Sequence, residues 1–458
     1  MNRAIPPNYI FSNRDLKRLI IPLMIEQFLA IFVGLSDSIM VSSVSEAAVS
    51  AVSLIDTLMV LLINVFTALA TGGAIVAGQA LGRKDPETGC KITEQLVMLS
   101  FFVALVIMIG IFVCKWFILH VVFGQIEPDV MENCNTYLVI VALSIPFLAL
   151  YNAGAGVHRP TGDSKTPMRL SLIMNGINLV GNAILIYGLN MGIAGAAIPT
   201  TVSRMFAGIM MLYLLKNPQK ILHVSSYQKM RPNRELMGQI ARVGIPYSME
   251  SSLFQLGKVL VFSLVSTFGT TAITANAVCY KMSDFIILGG QAVGFALSSV
   301  AAQCVGAGDY AQVRFYTKRL VGYSYAAVWT LNAVVLLSLP LLLKLYHLSP
   351  ETAELSTHIM YFHAIMVMTV WPLSWTTPNA LRAASDTPFC MKVAMGSVIV
   401  CRVFFSYLLG KYMNLGVFGI WIAMTLDWAF RALVFTLRFR GTKWYASAEN
   451  AKKTKLAS

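Results

Sequence analysis

The sequence predicts an all-α polytopic membrane protein, with twelve transmembrane helices arranged as two parallel six-helix repeats. Three observations predict this fold: the composition, the placement of the basic residues and an internal duplication. Of the 458 residues, 57% are hydrophobic and 12% are charged, whereas soluble domains carry about 25% charged residues. The mean hydropathy is +0.68. Apolar runs such as 96–113 and 326–343 are long enough to cross a hydrocarbon layer of about 30 Å.

An internal duplication appears as landmark residues that recur 223 or 224 positions later. The matched pairs are Pro22/Pro246, Glu26/Glu250, Gln79/Gln303, Asp85/Asp309, Arg159/Arg382, Asp163/Asp386 and Gly192/Gly416. A repeat of this length is much longer than a solenoid unit. In a membrane protein, a duplicated half indicates a transporter built from two lobes. Since each repeat has an even number of spans, the two repeats are expected to be parallel.

The net charge of +14 is distributed unevenly between alternate loops. Basic residues cluster in the loops 14–18, 83–91, 159–169, 216–234, 314–319 and 440–455. The alternate loops 42–51, 125–136, 267–273 and 347–354 contain no Lys or Arg. This alternation follows the positive-inside rule and places both termini in the cytoplasm. We therefore expect a multi-pass protein of the cell (inner) membrane, whose partner is the lipid bilayer rather than nucleic acid.

Turn signals and basic loops divide the chain into lobes and spans. We expect an N-terminal lobe at 1–215, a cytoplasmic linker at 216–237, a C-terminal lobe at 238–440 and a basic tail without fixed structure at 441–458. The expected spans are 16–42, 51–80, 93–123, 133–157, 167–188, 193–215, 238–266, 273–304, 315–346, 354–381, 391–411 and 415–438.

Ionisable residues inside the spans are candidate functional groups, because a charge in the membrane interior costs several kcal/mol. The N-terminal lobe contains Glu26, Asp37 and Asp56. Glu26 and Asp37 are separated by three helical turns plus about 20°, so they share one helix face at depths roughly 16 Å apart. Two acids on one face suit a cavity that accepts cations, although Glu26 could instead be a solvated residue at the interface.

Amide and hydroxyl side chains in spans five and six could complete a site around Asp37. Asn178 and Asn182 face the same way at i and i+4, and Thr200 follows Pro199 in span six. With a carboxylate, these oxygens could hold a monovalent cation or a proton that exchanges with the acid. Alternatively, the amides only join neighbouring helices by hydrogen bonds.

The C-terminal lobe carries a different set of charges. Glu250, Lys258, Lys281 and Asp284 could form one nearly neutral buried network that lines a substrate cavity or acts as a gate. Asp427 and Arg431 lie at i and i+4, which predicts a structural or gating salt bridge within one helix. The duplication does not copy these charges, since Asp37 falls opposite Val261 and Asn178 opposite Cys401.

Taken in order, several motifs resemble the multidrug and toxic compound extrusion (MATE) family of the wider multidrug/oligosaccharidyl-lipid/polysaccharide exporter superfamily. The resemblance covers about residues 15–440. The motifs are Ile21-Pro22, Asp37-Ser-Ile-Met-Val41, Gly78-Gln-Ala-Leu-Gly-Arg-Lys-Asp85, Arg159-Pro-Thr-Gly-Asp-Ser-Lys-Thr-Pro167, Gly192-Ile-Ala-Gly-Ala-Ala197, Gly244-Ile-Pro246, Gln303-Cys-Val-Gly-Ala-Gly-Asp309 and Leu381-Arg-Ala-Ala-Ser-Asp386.

The resemblance implies two six-helix lobes that form a V around a central cavity, and antiport of organic cations against protons or sodium. It also implies a cation site that maps onto Asp37, Asn178, Asn182 and Thr200. Many members have an acid where this chain has Asn182. One carboxylate instead of two weakens the case for tight sodium binding and concentrates proton chemistry on Asp37.

The first functional hypothesis is therefore a monomeric secondary antiporter that exports amphipathic organic cations, with H⁺ or Na⁺ as coupling ion and no other cofactor. The alternative is a flippase for a lipid-linked precursor, for which Lys258, Lys281 and Arg402 would supply positive charge. An intramembrane enzyme is not expected, because the six His residues are dispersed and form no nucleophile–base or metal-ligand pattern.

Overall fold

The computed structural model describes residues 5–6, 8–124, 126–346 and 348–445, and these residues are helical or lie in short connections, without a strand. They form two compact units, Lys17–Ser248 and Met249–Ser458, the second of which also includes Met1–Leu16. The prediction of an all-α fold is confirmed. The unit boundary lies within a helix rather than in the linker 216–237, and the division into lobes inferred from the repeat stays a prediction.

The N-terminal unit is built from eight helices that follow the predicted spans one to six. They are α1 (Asn13–Ser42), α2 (Glu46–Gly82), α3 (Pro86–Val113), α4 (Lys115–Phe117), α5 (Pro128–Ala142), α6 (Ile145–His158), α7 (Lys165–Asn182) and α8 (Ala194–Leu215). Two of them continue as π-helices, at Ile118–Val122 and Ala183–Gly188. Span four is bent by 48° between α5 and α6, where Pro146 occupies the first turn of α6.

The C-terminal unit contains the remaining helices. They are α9 (Arg234–Val265), whose first part belongs to the N-terminal unit, α10 (Thr270–Ala307), α11 (Tyr310–Leu345), α12 (Pro350–Thr369), α13 (Trp371–Trp375), α14 (Pro378–Ala383), α15 (Thr387–Ser397) and α16 (Gly416–Arg440). Between α15 and α16 run two π-helices, Val398–Phe404 and Tyr407–Tyr412.

In the described residues, ten helices are long and apolar enough to cross a membrane, or eleven if the bent pair α5–α6 is one span. The predicted tenth span, 354–381, corresponds to α12, α13 and α14 and does not qualify. Glu354, His358 and His363 lower the hydropathy of α12, and Pro372 and Pro378 start new helices after it. The structure thus contains all twelve predicted segments, one of them broken and less apolar than expected.

The N-terminal ends of α3 and α11 are capped in the same way in the two units. Asp85 caps α3 by accepting a hydrogen bond from the Thr88 amide (3.0 Å), and Asp309 caps α11 by accepting one from the Gln312 amide (2.9 Å). These hydrogen bonds from Thr88 hold the pKa of Asp85 below its usual value. The residue before each cap is left-handed, since Lys84 has φ +61° and Gly308 has φ +78°. The recurring Asp residues are therefore helix N-caps.

The return of the offset from 223 at Arg159/Arg382 to 224 at Gly192/Gly416 has a local structural cause. The π-helix Ala183–Gly188 recurs as Tyr407–Tyr412, at an offset of 224, but Val398–Phe404 has no π-helical counterpart in α7. A π-helix accommodates an extra residue within a helix. Because Met168 and Met391 are still 223 apart, the additional residue falls before Tyr407, in the segment that contains Val398–Phe404.

The linker 216–237 packs against the N-terminal unit. Leu222 and Val224 are buried, and Gln95 of α3 donates to the Arg231 carbonyl (2.9 Å) and accepts from the Asn233 amide (2.8 Å). The linker is therefore attached to α3 by hydrogen bonds between its backbone and the Gln95 side chain.

The expectation of an unstructured tail at 441–458 is wrong for its first residues. Trp444 is fully buried, stacks on Phe439 and meets Tyr310 edge to face, while Tyr445 stacks on Tyr310. Burial of aromatic area outweighs the polar composition of this short segment. Residues 446–458 lie outside the described residues.

The Gly244-Ile-Pro246 motif is explained by close helix contact within the N-terminal unit. A Cβ added to Gly72 of α2 would lie 2.8 Å from the backbone of Gly244 in α9. Small residues allow such close approach between membrane helices. Because the atoms in contact belong to the backbone of Gly244, the clash cannot be relieved by a side-chain rotation and would require one helix to shift as a whole.

We expect Gly72→Ala to destabilise the protein by about 1–3 kcal/mol because it overpacks this contact. The measurement is the melting temperature of detergent-solubilised protein, with Gly110→Ala as the matched control. Gly110 lies in α3 and an added Cβ meets nothing within 4 Å. Equal melting temperatures for the two variants would contradict a tight α2–α9 contact.

Candidate functional site

A polar cluster in the N-terminal unit joins α1, α7 and α8. Asn182 donates a hydrogen bond to Asp37 Oδ1 (2.7 Å), and Asn178 donates to Thr200 Oγ1 (3.0 Å). Thr200 in turn donates to the Ala196 carbonyl one turn earlier (2.9 Å). Asn178, Asn182 and Thr200 are buried and Asp37 is half-buried. The four residues predicted for a cation site therefore lie together as two hydrogen-bonded pairs.

Two amide oxygens in this cluster have no hydrogen-bond partner in the described residues. They are the buried Oδ1 atoms of Asn178 and Asn182. An unsatisfied buried acceptor costs about 1–3 kcal/mol. With the Asp37 carboxylate and the Thr200 hydroxyl they make up an oxygen-rich group that a hard cation or an acidic proton would satisfy.

Three further side chains surround this cluster, two of which the sequence analysis missed. Asp56 and Arg204 both interact electrostatically with Asp37, and the buried Tyr137 lies beside Thr200. Arg204 also donates to Ser144 (3.3 Å). The signal for Arg204 was present, since a single arginine inside the apolar helix α8 is itself unusual. Nothing in the sequence distinguishes Tyr137 from other tyrosines.

Glu26 belongs to a separate cluster of the same unit, between α1 and the C-terminal end of α6. Its carboxylate accepts a hydrogen bond from the Tyr151 hydroxyl (3.2 Å) and lies 3.9 Å from Arg159 Nη2. Glu26 and Arg159 are both buried. The alternative of a merely solvated Glu26 is therefore wrong, because Arg159 and Tyr151 hold the carboxylate inside the bundle.

The duplicated acid Glu250 forms the corresponding ion pair in the C-terminal unit. Arg382 Nη2 donates to Glu250 Oε1 at 2.6 Å, and Arg382 Nη1 donates to Asn379 Oδ1 (3.2 Å). Both charged residues are buried. Since Glu26/Glu250 and Arg159/Arg382 are repeat-related, the duplication has kept an entire ion pair and not only single landmarks.

A second polar cluster in the C-terminal unit contains Arg402, Asp427 and Arg431. Arg431 Nε donates to Asp427 Oδ1 (2.9 Å) and to Ser397 Oγ (2.7 Å), so the predicted salt bridge is confirmed. Arg402 Nη1 lies 3.7 Å from Asp427 Oδ2. All three charged residues are 2% exposed or less. Arg402 contacts α16 in the second repeat, as Asn178 contacts α8 in the first. Arg402 is therefore the structural counterpart of Asn178, whereas the offset of 223 had matched Asn178 with Cys401.

The single buried network proposed for Glu250, Lys258, Lys281 and Asp284 is not what the structure shows. Glu250 forms its ion pair with Arg382. Lys281 and Asp284 are exposed on α10. Within the described part of the chain, these two residues form no ion pair with each other. Lys258 lies instead beside the aromatic rings of Phe254 and Tyr280, next to the Arg402 cluster.

Metal-binding chemistry of the zinc type finds no support. The described residues contain no group of three or more His, Cys, Asp or Glu side chains that could hold a metal ion.

A cavity of about 560 Å³ lies between α11 and α12, lined by residues such as Leu339, Lys344 and Tyr361. None of its lining residues belongs to either polar cluster.

Comparison of this sequence with models of known protein families shows which family the two repeats belong to. The MatE family profile matches this chain twice, at residues 22–184 and 246–408, with both boundaries 224 residues apart. The chain belongs to the MatE family of multidrug efflux transporters. The internal duplication and the prediction of the family are thereby confirmed.

Relatives in the MatE family are distant but cover nearly the whole chain. A transporter of Bacillus subtilis, YisQ, described as uncharacterized, is 23% identical over 427 residues, 92% of this chain and 93% of its own length. A probable multidrug resistance protein of Thermotoga maritima, NorM, is 22% identical over 439 residues, 94% and 93% of the two chains. A probable multidrug resistance protein of B. subtilis, YoeA, is 25% identical over 400 residues, 84% of each.

Solved structures show the same fold. A MATE protein in its bent conformation superimposes with a TM-score of 0.87 and 20% identity, over 96% of this chain and 97% of that one. An outward-facing multidrug resistance MATE transporter of the MOP superfamily gives a TM-score of 0.87 and 20% identity, over 95% and 96%. The twelve-helix MatE fold is therefore established for this chain.

We expect Glu250→Gln to destabilise this MatE protein by about 3–5 kcal/mol, because it leaves the buried Arg382 without its charge partner. Adding Arg382→Gln should recover part of the loss. Thermal or denaturant unfolding in detergent measures both. Glu26→Gln should cost less, since Arg159 Nη2 is 3.9 Å from Glu26 but Arg382 Nη2 is 2.6 Å from Glu250.

The matched control for this prediction is Glu87→Gln. Glu87 pairs with Lys91 at 2.7 Å, but the side chains are 82% and 58% exposed, and such pairs contribute little. The control should leave the melting temperature unchanged. If Glu250→Gln behaves like Glu87→Gln, the buried pair is not the structural tie inferred here.

Proposed function

We propose that this MatE protein is a secondary antiporter that exports amphipathic organic compounds across the cell membrane in exchange for protons or sodium, coupled through Asp37. The carrying observation is the Asp37–Asn182 hydrogen bond next to two buried amide oxygens without partners. Relatives named as probable multidrug resistance proteins support the substrate class. We further propose that the protein works as a monomer with both termini in the cytoplasm.

Coupling requires that the protein prefers one conformation when Asp37 is charged and another when Asp37 is neutralised. When charged, the carboxylate accepts the Asn182 hydrogen bond, as seen here. When a proton or a sodium ion neutralises it, the cost of holding a charge among the helices of this unit falls. A ligand shifts a conformational equilibrium only through its different affinities for the two states, and neutralisation of a half-buried acid supplies such a difference.

The same oxygen atoms could serve either coupling ion. A sodium ion would take the Asp37 carboxylate, the two free amide oxygens and the Thr200 hydroxyl as ligands. A proton on Asp37 would convert the carboxylate into a donor, which an amide oxygen could accept. Asp56 and Arg204 set the charge around either ion.

We expect Asp37→Asn to lower gradient-driven export by about tenfold or more, because an amide cannot change charge when the coupling ion binds. The measurement is efflux of a cationic dye from proteoliposomes, with proton and sodium gradients imposed separately. The matched control is Asp284→Asn, which removes an exposed acid of α10 and should leave export unchanged. Intact export by Asp37→Asn would overturn the proposal.

A second variant separates the two ions. Asn182→Asp places a second carboxylate within hydrogen-bond distance of Asp37, which favours a bound cation but makes it costly for both acids to be charged. We therefore expect sodium-driven export to rise relative to proton-driven export. A proton-only coupling mechanism would show no sodium response in either the parent protein or the variant.

A further inference from the structure

The cluster around Asp427 contains more positive than negative charge. Arg431 is fully engaged, because it contacts Asp427, Ser397 and the Ala394 carbonyl (3.4 Å). Among the described residues, the Arg402 guanidinium donates only one hydrogen bond, to the Tyr280 hydroxyl (3.3 Å). Its Nε and Nη1 atoms are buried and make no hydrogen bond to any described residue. One carboxylate is therefore shared between two guanidinium groups, and the second is incompletely satisfied.

Lys258 adds a third positive charge beside the same aromatic ring. Its Nζ lies 5.3 Å from the centroid of Phe254 and 5.8 Å from that of Tyr280, while the Arg402 guanidinium lies 4.6 Å from the Phe254 centroid. Among the described acids, only Asp427 lies within ion-pair distance of Arg402 or Arg431, and none lies within that distance of Lys258. Lys258 is half-buried, so its ammonium is the accessible charge of the cluster, and Arg402 lies behind it at 2% exposure.

We propose that Lys258 and Arg402 form a binding site for the anionic group of an exported compound. Burying an uncompensated positive charge in the membrane is costly unless an anion pairs with it. The unsatisfied Nε and Nη1 atoms of Arg402 can each donate a charge-assisted hydrogen bond to an anion. Lys258 supplies a third donor from the half-buried side.

The rings around this cluster indicate what the anion is attached to. Phe254, Tyr280 and Trp375 are half-buried, and Phe254 packs edge to face against Trp375 at 5.2 Å. Such rings favour an aromatic ligand body. The ligand class is an aromatic organic anion or zwitterion. This inference rests on the proposed export function, and it extends the substrates beyond simple cations.

A suitable probe pair is tetramethylrhodamine as the free acid and as its methyl ester. The two dyes share the same aromatic rings and cationic end, and they differ only in the carboxylate. Fluorescence polarisation with the full-length protein in detergent measures binding without any need for transport. We expect the free acid to bind about tenfold more tightly than the ester, the range for a hydrogen bond to a charged group.

Lys258→Gln should remove most of this preference, with binding of the acid about tenfold weaker and binding of the ester unchanged. The matched control is Lys281→Gln, because Lys281 is an exposed lysine of α10 outside the cluster and should change neither. Arg402→Gln should act as Lys258→Gln does, and ester binding reports whether that buried variant is folded. Equal losses for acid and ester, or no acid preference in the parent protein, would overturn the site.

The lipid-linked precursor alternative gives a different result. If the site is built for pyrophosphate, excess inorganic pyrophosphate will displace the free acid dye from the parent protein. Such displacement would overturn the assignment to an aromatic organic anion. Failure of the antiport proposal is separate, because it appears as export that does not depend on Asp37, whereas dye binding by the C-terminal unit is unaffected.

Discussion

The fold depends on one requirement, that a charge buried among membrane helices must have a partner. Glu26 meets Arg159 and Tyr151 in one unit, and Glu250 meets Arg382 in the other. Each pair connects the first helix of a repeat to the C-terminal end of its fourth span. Removing one partner would leave a buried charge, and this explains why the duplication retains acid and base together. Buried polar atoms without a hydrogen bond to any described residue occur beside Asp37 and in Arg402, and these are the two places where we propose that an ion or a ligand binds.

The sequence was sufficient for the architecture because composition and the positive-inside rule act over whole spans. It was also sufficient to find the recurring Asp85 and Asp309, although their role as helix caps became clear only from the backbone. It was insufficient for the partner of Glu26, because Arg159 was interpreted as a basic loop residue, whereas it is 8% exposed. Boundaries of helices are uncertain by a few residues, and that uncertainty decides whether an arginine is in water or in the bundle.

The sequence predicted four residues of the candidate site but not the side chains that surround them. Asp37, Asn178, Asn182 and Thr200 were grouped through resemblance to a family, and hydrogen bonds join them in two pairs. Periodicity along one helix cannot reveal that Arg204 of α8 lies near acids of α1 and α2, since that contact depends on tertiary packing. In the second unit, pairing rules within one helix found Asp427 with Arg431 but could not find Arg402, which approaches from a different segment.

The π-helix at Val398–Phe404 has a consequence for how the two halves of this chain are compared. One extra residue in a regular α-helix would turn everything after it by about 100°, yet Gly192 and Gly416 keep the same left-handed backbone, with φ +56° and +57°. The wider turn absorbs the insertion, so the following segment returns to register. Within Val398–Phe404, matching the two repeats at a constant offset pairs residues that do not face the bundle interior in the same way. Common origin of the two halves therefore does not imply a common chemical role for the paired residues.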